Sequence, residues 1–88
     1  MTDWLVTMDQ TDAATLVKIG RNIRAERSRR DLTQEALARK AGLALTQVAR
    51  MERGETDSGI SKYLRLAAAI GMQPADLFYG VELEIDAG

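Results

Sequence analysis

Residues Leu32–Gly54 read LTQEALARKAGLALTQVARMERG, and this stretch decides the fold. Thr33 offers a hydroxyl acceptor to the free N–H groups at a helix start, and behind it Leu37, Ala38 and Ala41 fall on one helical face. Gly42 ends that helix, because glycine takes a positive φ without a Cβ clash. After Leu43 a second helix carries Val48 and Met51, three apart, on an apolar face and stops at Gly54. Two helices of this length around a short glycine turn predict a helix-turn-helix. In that arrangement the second helix enters the major groove of DNA.

Outward from this stretch, 88 residues leave length for one domain. We expect a core over 13–79, an N-terminal extension over 1–12 and a C-terminal tail over 80–88. With no cysteine there is neither a disulfide framework nor a thiolate zinc site, so stability rests on helix packing, and a reducing, cytoplasmic setting fits. Histidine, the commonest metal ligand and acid–base group, is also absent. No metal or cofactor is expected. The start carries Asp3 and only a brief apolar run at Trp4, Leu5 and Val6, unlike a signal peptide, and no apolar segment reaches the roughly 18 residues of a membrane span.

The net charge of −1 hides an uneven distribution. Between Lys18 and Arg53 there are ten Lys or Arg against four acids, a local net of +6. Residues 1–17 hold three acids and no base, and residues 54–88 hold six acids against Lys62 and Arg65. A basic middle between acidic ends suits a DNA reader whose non-specific attraction is restrained. For the first helix alone the plainer reading is that its arginines solvate an exposed face.

Before the central stretch, Trp4, Val6 and Met8 share one side of an extended segment, and Thr11 or Asp12 is the expected cap of a first helix running to Arg29 or Arg30. Its inner positions are Leu16, Ile19 and Ile23, with Arg21, Arg24 and Arg29 outside. After Gly54 a loop, ETDSG, leads into a helix from Ile60 or Ser61 to Ile70, whose buried stripe is read as Ile60, Tyr63, Ala67 and Ile70 with Leu66 beside it. Gly71 stops it. Pro74 then opens a short fifth helix at a position where its missing N–H costs nothing, with Leu77 and Phe78 inward. The tail Val81, Glu82, Leu83, Glu84, Ile85 alternates as a half-buried strand does. Such a strand needs a partner: the N-terminal stretch or the same tail of a second subunit, while a frayed tail is the third possibility. The expected class is all-α, a compact five-helix domain with possible short terminal strands.

From Ile19 to Phe78, 60 of the 88 residues, the chain resembles the lambda-repressor-like, Cro-type helix-turn-helix family, also called the Xre family. The marks are IGRNIRAER, LTQEALARKAGL, VARMERG and YLRLAAAIGMQPADLF, in order and without a gap. The resemblance implies that Gln34, after Thr33 at the start of the second helix, touches DNA phosphate. A helix N-terminus favours an anion there, and a neutral amide adds a directed hydrogen bond. It also implies that Ala44, Leu45, Thr46, Ala49 and Arg50 face the bases while Val48 and Met51 turn inward. Arg50 suits guanine O6 and N7, a contact of about 1–3 kcal/mol of discrimination. Thr46 and Gln47 reach base edges or phosphates, Leu45 meets a thymine methyl, and Arg53 is a second phosphate anchor. Arg27 and Glu52 match a structural ion pair of the family.

Two departures weaken DNA affinity or local order. Ala44 stands where the family has Ser, Thr or Asp, so the third helix lacks a side-chain cap, at a cost of about 1 kcal/mol. The loop beyond Gly54 carries Glu55 and Asp57 rather than basic residues. The expected function is a sequence-specific transcriptional regulator binding double-stranded DNA as a homodimer on a palindromic operator, as phage-type repressors and restriction-modification controller proteins do. Phe78, Tyr79, Val81, Leu83 and Ile85 are its expected dimer interface. The alternative from another class is an antitoxin that masks a partner protein, with the Trp4 segment and the acidic ends serving that partner. Catalysis is not expected. There is no histidine or cysteine, and GETDSG lacks the lysine of a phosphate-binding loop and follows a helix rather than a strand.

Overall fold

A computed structural model describes residues 10–83. Among them lie four α-helices, α1 (Gln10–Arg29), α2 (Gln34–Ala41), α3 (Leu45–Glu52) and α4 (Ile60–Ile70), followed by one turn of 3-10 helix, Pro74–Phe78. The fold is all-α, and no strand occurs among the described residues. Val81–Leu83 is irregular. Trp4, Val6, Met8, Glu84 and Ile85 lie outside the described residues, so the strand pairings read from them do too.

Helix ends obey local rules. Thr33 Oγ1 accepts the Ala36 N–H at 3.0 Å and caps α2. Gly42 leaves it at φ +70°, and the Leu43 N–H returns to the Ala38 carbonyl at 3.0 Å. The same closure ends α3, where the Gly54 and Glu55 N–H groups reach the Met51 and Arg50 carbonyls at 3.1 and 2.9 Å. At the end of α1 the left-handed position is held by Asp31, φ +55°, while Leu32 N–H donates to the Arg27 carbonyl at 3.1 Å.

The core forms where the inward stripes meet. Ile23, Leu37, Val48, Met51, Leu66 and Leu77 are fully buried, with Ile19, Ala38, Ala41, Tyr63, Ala67, Ile70 and Met72 around them and Leu16 packed against them. α2 packs on α3 and α4, and α1 packs on α3 and the 3-10 turn. The α1–α3 crossing is set by Gly20. A Cβ there would lie 2.4 Å from the Glu52 carbonyl oxygen and 2.6 Å from that of Met51. Only a residue without a side chain permits that approach.

Four sequence expectations need correction. α1 already includes Thr11 and Asp12 in its first turn, so neither is its cap, and Asp12 sits where an acid complements the helix dipole. The fifth helix is a short 3-10 helix, in which the Asp76 N–H donates to the Gln73 carbonyl at 2.9 Å and the Tyr79 N–H to the Asp76 carbonyl at 3.3 Å, each three residues back. Ile60 is 59% exposed because it opens α4, a turn before Tyr63 enters the core. Phe78 is 45% exposed, whereas Met72 and Leu77 are buried in the core.

Candidate nucleic-acid interface

α3 has two unlike faces. Val48 and Met51 are wholly buried, which turns Leu45, Thr46 and Arg50 to the exposed side with Gln47 and Ala49 half-buried beside them. Leu45, at 43% exposure, is therefore not a core leucine. The Arg50 side chain has no hydrogen-bond or ion-pair partner among the described residues. Ala44 precedes this helix in an extended conformation and contributes no side-chain cap.

Behind the exposed face, a polar network ties α1, α2 and α3 together. Arg27 Nε donates to Glu52 Oε2 at 2.6 Å and its Nη2 donates to Oε1 at 3.0 Å, the two-pronged geometry of a strong guanidinium–carboxylate pair. Its Nη1 also donates to the Leu32 carbonyl at 2.7 Å. Gln34 Nε2 adds a third donor to the Glu52 carboxylate, at 3.0 Å on Oε1. Glu52 is buried, and these donors replace the water it has lost. Gln34 thus reaches the surface with one amide hydrogen engaged and the second free.

Arg24, Arg27, Gln34, Glu52 and Arg53 line one polar cleft between these helices. Arg53 does not enter it as an isolated cation: its Nε and Nη2 donate to the two Glu55 carboxylate oxygens at 2.8 and 3.0 Å. The hydrogen bonds from Arg53 hold the Glu55 carboxyl below its ordinary range, with the Arg53 and Arg50 charges adding to the effect. Thr33 spends its acceptor on the α2 cap and keeps its hydroxyl hydrogen.

Residues 23–77 match a helix-turn-helix family model, HTH_3. The chain superposes on the restriction-modification controller protein C.AhdI from Aeromonas hydrophila with a TM-score of 0.71 and 38% identity, over 74% of this chain and 98% of that one. The chain belongs to the HTH_3 helix-turn-helix family. Its broad activity is DNA-binding transcription regulation. An HTH_3 family transcriptional regulator from Vibrio cholerae shares the fold, with a TM-score of 0.72 at 22% identity over 77% of this chain, which spans 38% of that longer one. No curated protein matches the sequence.

In this helix-turn-helix protein the apolar residues read as a dimer interface divide. Tyr79 and Leu83 are 78% and 66% exposed and Phe78 is nearly half exposed, whereas Val81 packs against the core and Ile85 lies outside the described residues. The surface carrying Tyr79 is fastened to α1 by Asn22, whose Nδ2 donates to the Leu77 and Tyr79 carbonyls at 2.8 Å each. Sequence reasoning passed over Asn22. Its signal was a polar residue three after Ile19 and one before Ile23, on the inner side of an amphipathic helix.

Proposed function

We propose that the chain is a sequence-specific transcriptional regulator that binds a palindromic operator as a homodimer, in the manner of a controller protein or small repressor, with residues 13–79 as its working core. The observation that carries this reading is the exposed face of α3, where an unpaired Arg50 stands with Thr46 and Leu45 over a fully buried reverse face. A guanidinium with no hydrogen bond or ion pair among the described residues is available to a guanine edge. The likeness to C.AhdI, spanning nearly all of that controller protein, supports the controller type. In this assignment Leu45, Thr46, Gln47 and Arg50 read bases, and Thr33, Gln34 and Arg53 hold phosphate.

The dimer follows from reach. One short helix reads too few bases for an operator, and two copies about 34 Å apart read successive major grooves. Exposed Phe78, Tyr79 and Leu83 supply apolar surface for that contact. The activity is binding, without a catalytic step. The protein-masking alternative turns on Trp4, outside the described residues.

Selection of bound sequences from random duplex DNA tests the reading, repeated with Arg50→Ala and Gln34→Ala. Wild type should enrich a palindrome. Arg50→Ala should relax preference at one base position per half-site, and Gln34→Ala should weaken binding evenly across sequences. Absence of any enriched sequence at low salt would reject the proposal.

A further inference from the structure

The cleft between α1, α2 and α3 holds three arginines, Arg24, Arg27 and Arg53, but they are not equivalent. Arg27 is neutralised by Glu52. Arg53 is neutralised by Glu55. At the C-terminal end of α1, Arg29 and the following Arg30 are both drawn to Glu26, at 2.5 and 2.7 Å. Arg24 alone among the cleft's cations makes no hydrogen bond or ion pair among the described residues. Three guanidinium groups against two carboxylates leave the cleft one positive charge, and that charge is Arg24's.

The geometry around it suits an anion. Arg24 lies three residues before Arg27, one turn back on the same side of α1, and Arg27 points toward Glu52 and Gln34. A carboxylate beside the cleft would repel a phosphate if its oxygens were unoccupied, but both oxygens of Glu52 already accept from Arg27, and Oε1 also accepts from Gln34. Gln34 retains a second amide hydrogen and opens α2 at the positive end of its dipole. Five N–H groups on Arg24 and one on Gln34 are thus available on one cleft.

We infer that Arg24 is a DNA phosphate-binding residue, the principal cation with which α1 grips the backbone beside Gln34. This rests on the DNA-binding reading above and adds to it an element, α1, whose arginines look from the sequence like a solvated face. It assigns the charge to Arg24 and the directional contact to Gln34, and leaves Arg53 restrained by Glu55.

The test measures binding of wild type, Arg24→Ala, Arg24→Lys and Arg21→Ala to the enriched operator duplex and to a random-sequence duplex over a range of salt. Arg21 is exposed on the same helix but outside the cleft. Arg24→Ala should lose roughly tenfold in affinity on both duplexes alike, the scale of a charged hydrogen bond, and its log–log salt slope should be shallower by about one. Arg24→Lys should keep the slope. Arg21→Ala should lose less than about threefold, as screened attraction at a distance does. Wild-type affinity and slope in Arg24→Ala would overturn the assignment and leave the DNA-binding reading intact. Equal losses in Arg21→Ala and Arg24→Ala would also overturn it, because general attraction by α1 would then suffice. A lowered melting temperature in Arg24→Ala would contradict its unpaired state and count against it. Failure of wild type to bind either duplex at low salt would remove the DNA-binding reading, and the assignment with it.

Discussion

Glu55 stands where an incoming phosphate would stand for Arg53: both of its oxygens accept from that guanidinium. Breaking the pair is the cost of using Arg53 on DNA, and the acid itself repels the backbone. Glu55→Gln should therefore tighten binding to any duplex and steepen its salt slope, by up to about one phosphate equivalent; titrations at several salt concentrations read both. Arg27 plays the opposite part, since its partner is buried. Arg27→Ala leaves Glu52 with Gln34 as its remaining side-chain donor, and loss of one member of a buried pair costs about 3–5 kcal/mol. That is a large share of the roughly 5–15 kcal/mol that holds a small domain folded. Its melting temperature should fall clearly, whereas that of Arg29→Ala should barely move, because Arg29 is exposed and its partner Glu26 keeps Arg30. At this scale the candidate site was only half legible. Gln34, Arg50 and Arg53 stand out in the sequence by type and place, but the Gln34–Glu52 bond and the gathering of Arg24, Arg27 and Arg53 on one cleft depend on how α1, α2 and α3 pack, and the Arg53–Glu55 restraint on the turn that ends α3.

Helices α2 and α3 end by the same device and begin differently. Thr33 caps α2, while Ala44 leaves the first N–H groups of α3 without a side-chain acceptor. Ala44→Ser supplies the acceptor and should stabilise the protein by about 1 kcal/mol, read as a raised midpoint in urea at unchanged slope. Gly20→Ala tests the crossing of α1 with α3. Helix propensity favours alanine by about 1 kcal/mol, yet the new Cβ would sit inside the van der Waals radii of two backbone oxygens at the end of α3. Neither oxygen belongs to a flexible side chain. Forced overpacking costs about 1–3 kcal/mol and occasionally more, so the net effect should be loss of stability. A rise in melting temperature would show that α1 and α3 separate freely.

The whole molecule is electrically divided, with a local net of +6 between Lys18 and Arg53 inside a chain whose total is −1. α1, α2 and α3 all lie within that basic stretch. The exposed apolar residues Phe78 and Tyr79 come from the opposite end of the fold's sequence, held to α1 through Asn22. In the dimeric reading, replacing both Tyr79 and Leu83 by Ser should shift sedimentation from dimer toward monomer and weaken operator binding most at low protein concentration. The melting temperature of the separated chain should change little, because both side chains are largely outside the core. A concentration-independent monomer in wild type would remove this surface as an interface.

Much of this protein was determined by local sequence. The cap of α2, the stops of α2, α3 and α4, most of their inward stripes and the outward face of α3 follow from 3.6-residue periodicity and from glycines at left-handed positions, which act over a few residues. Tertiary structure decided which hydrophobic residues are covered: Ile60 and Phe78 remain exposed and Met72 is buried, a distinction that hydrophobicity alone does not make. It also decided the partnerships of Glu52 and of Asn22. Gln34 meets Glu52 across 18 residues, Arg27 meets Glu52 across 25 and Asn22 meets Leu77 across 55. Such pairings arise only when packed helices bring distant side chains together and exclude the water that would otherwise satisfy them.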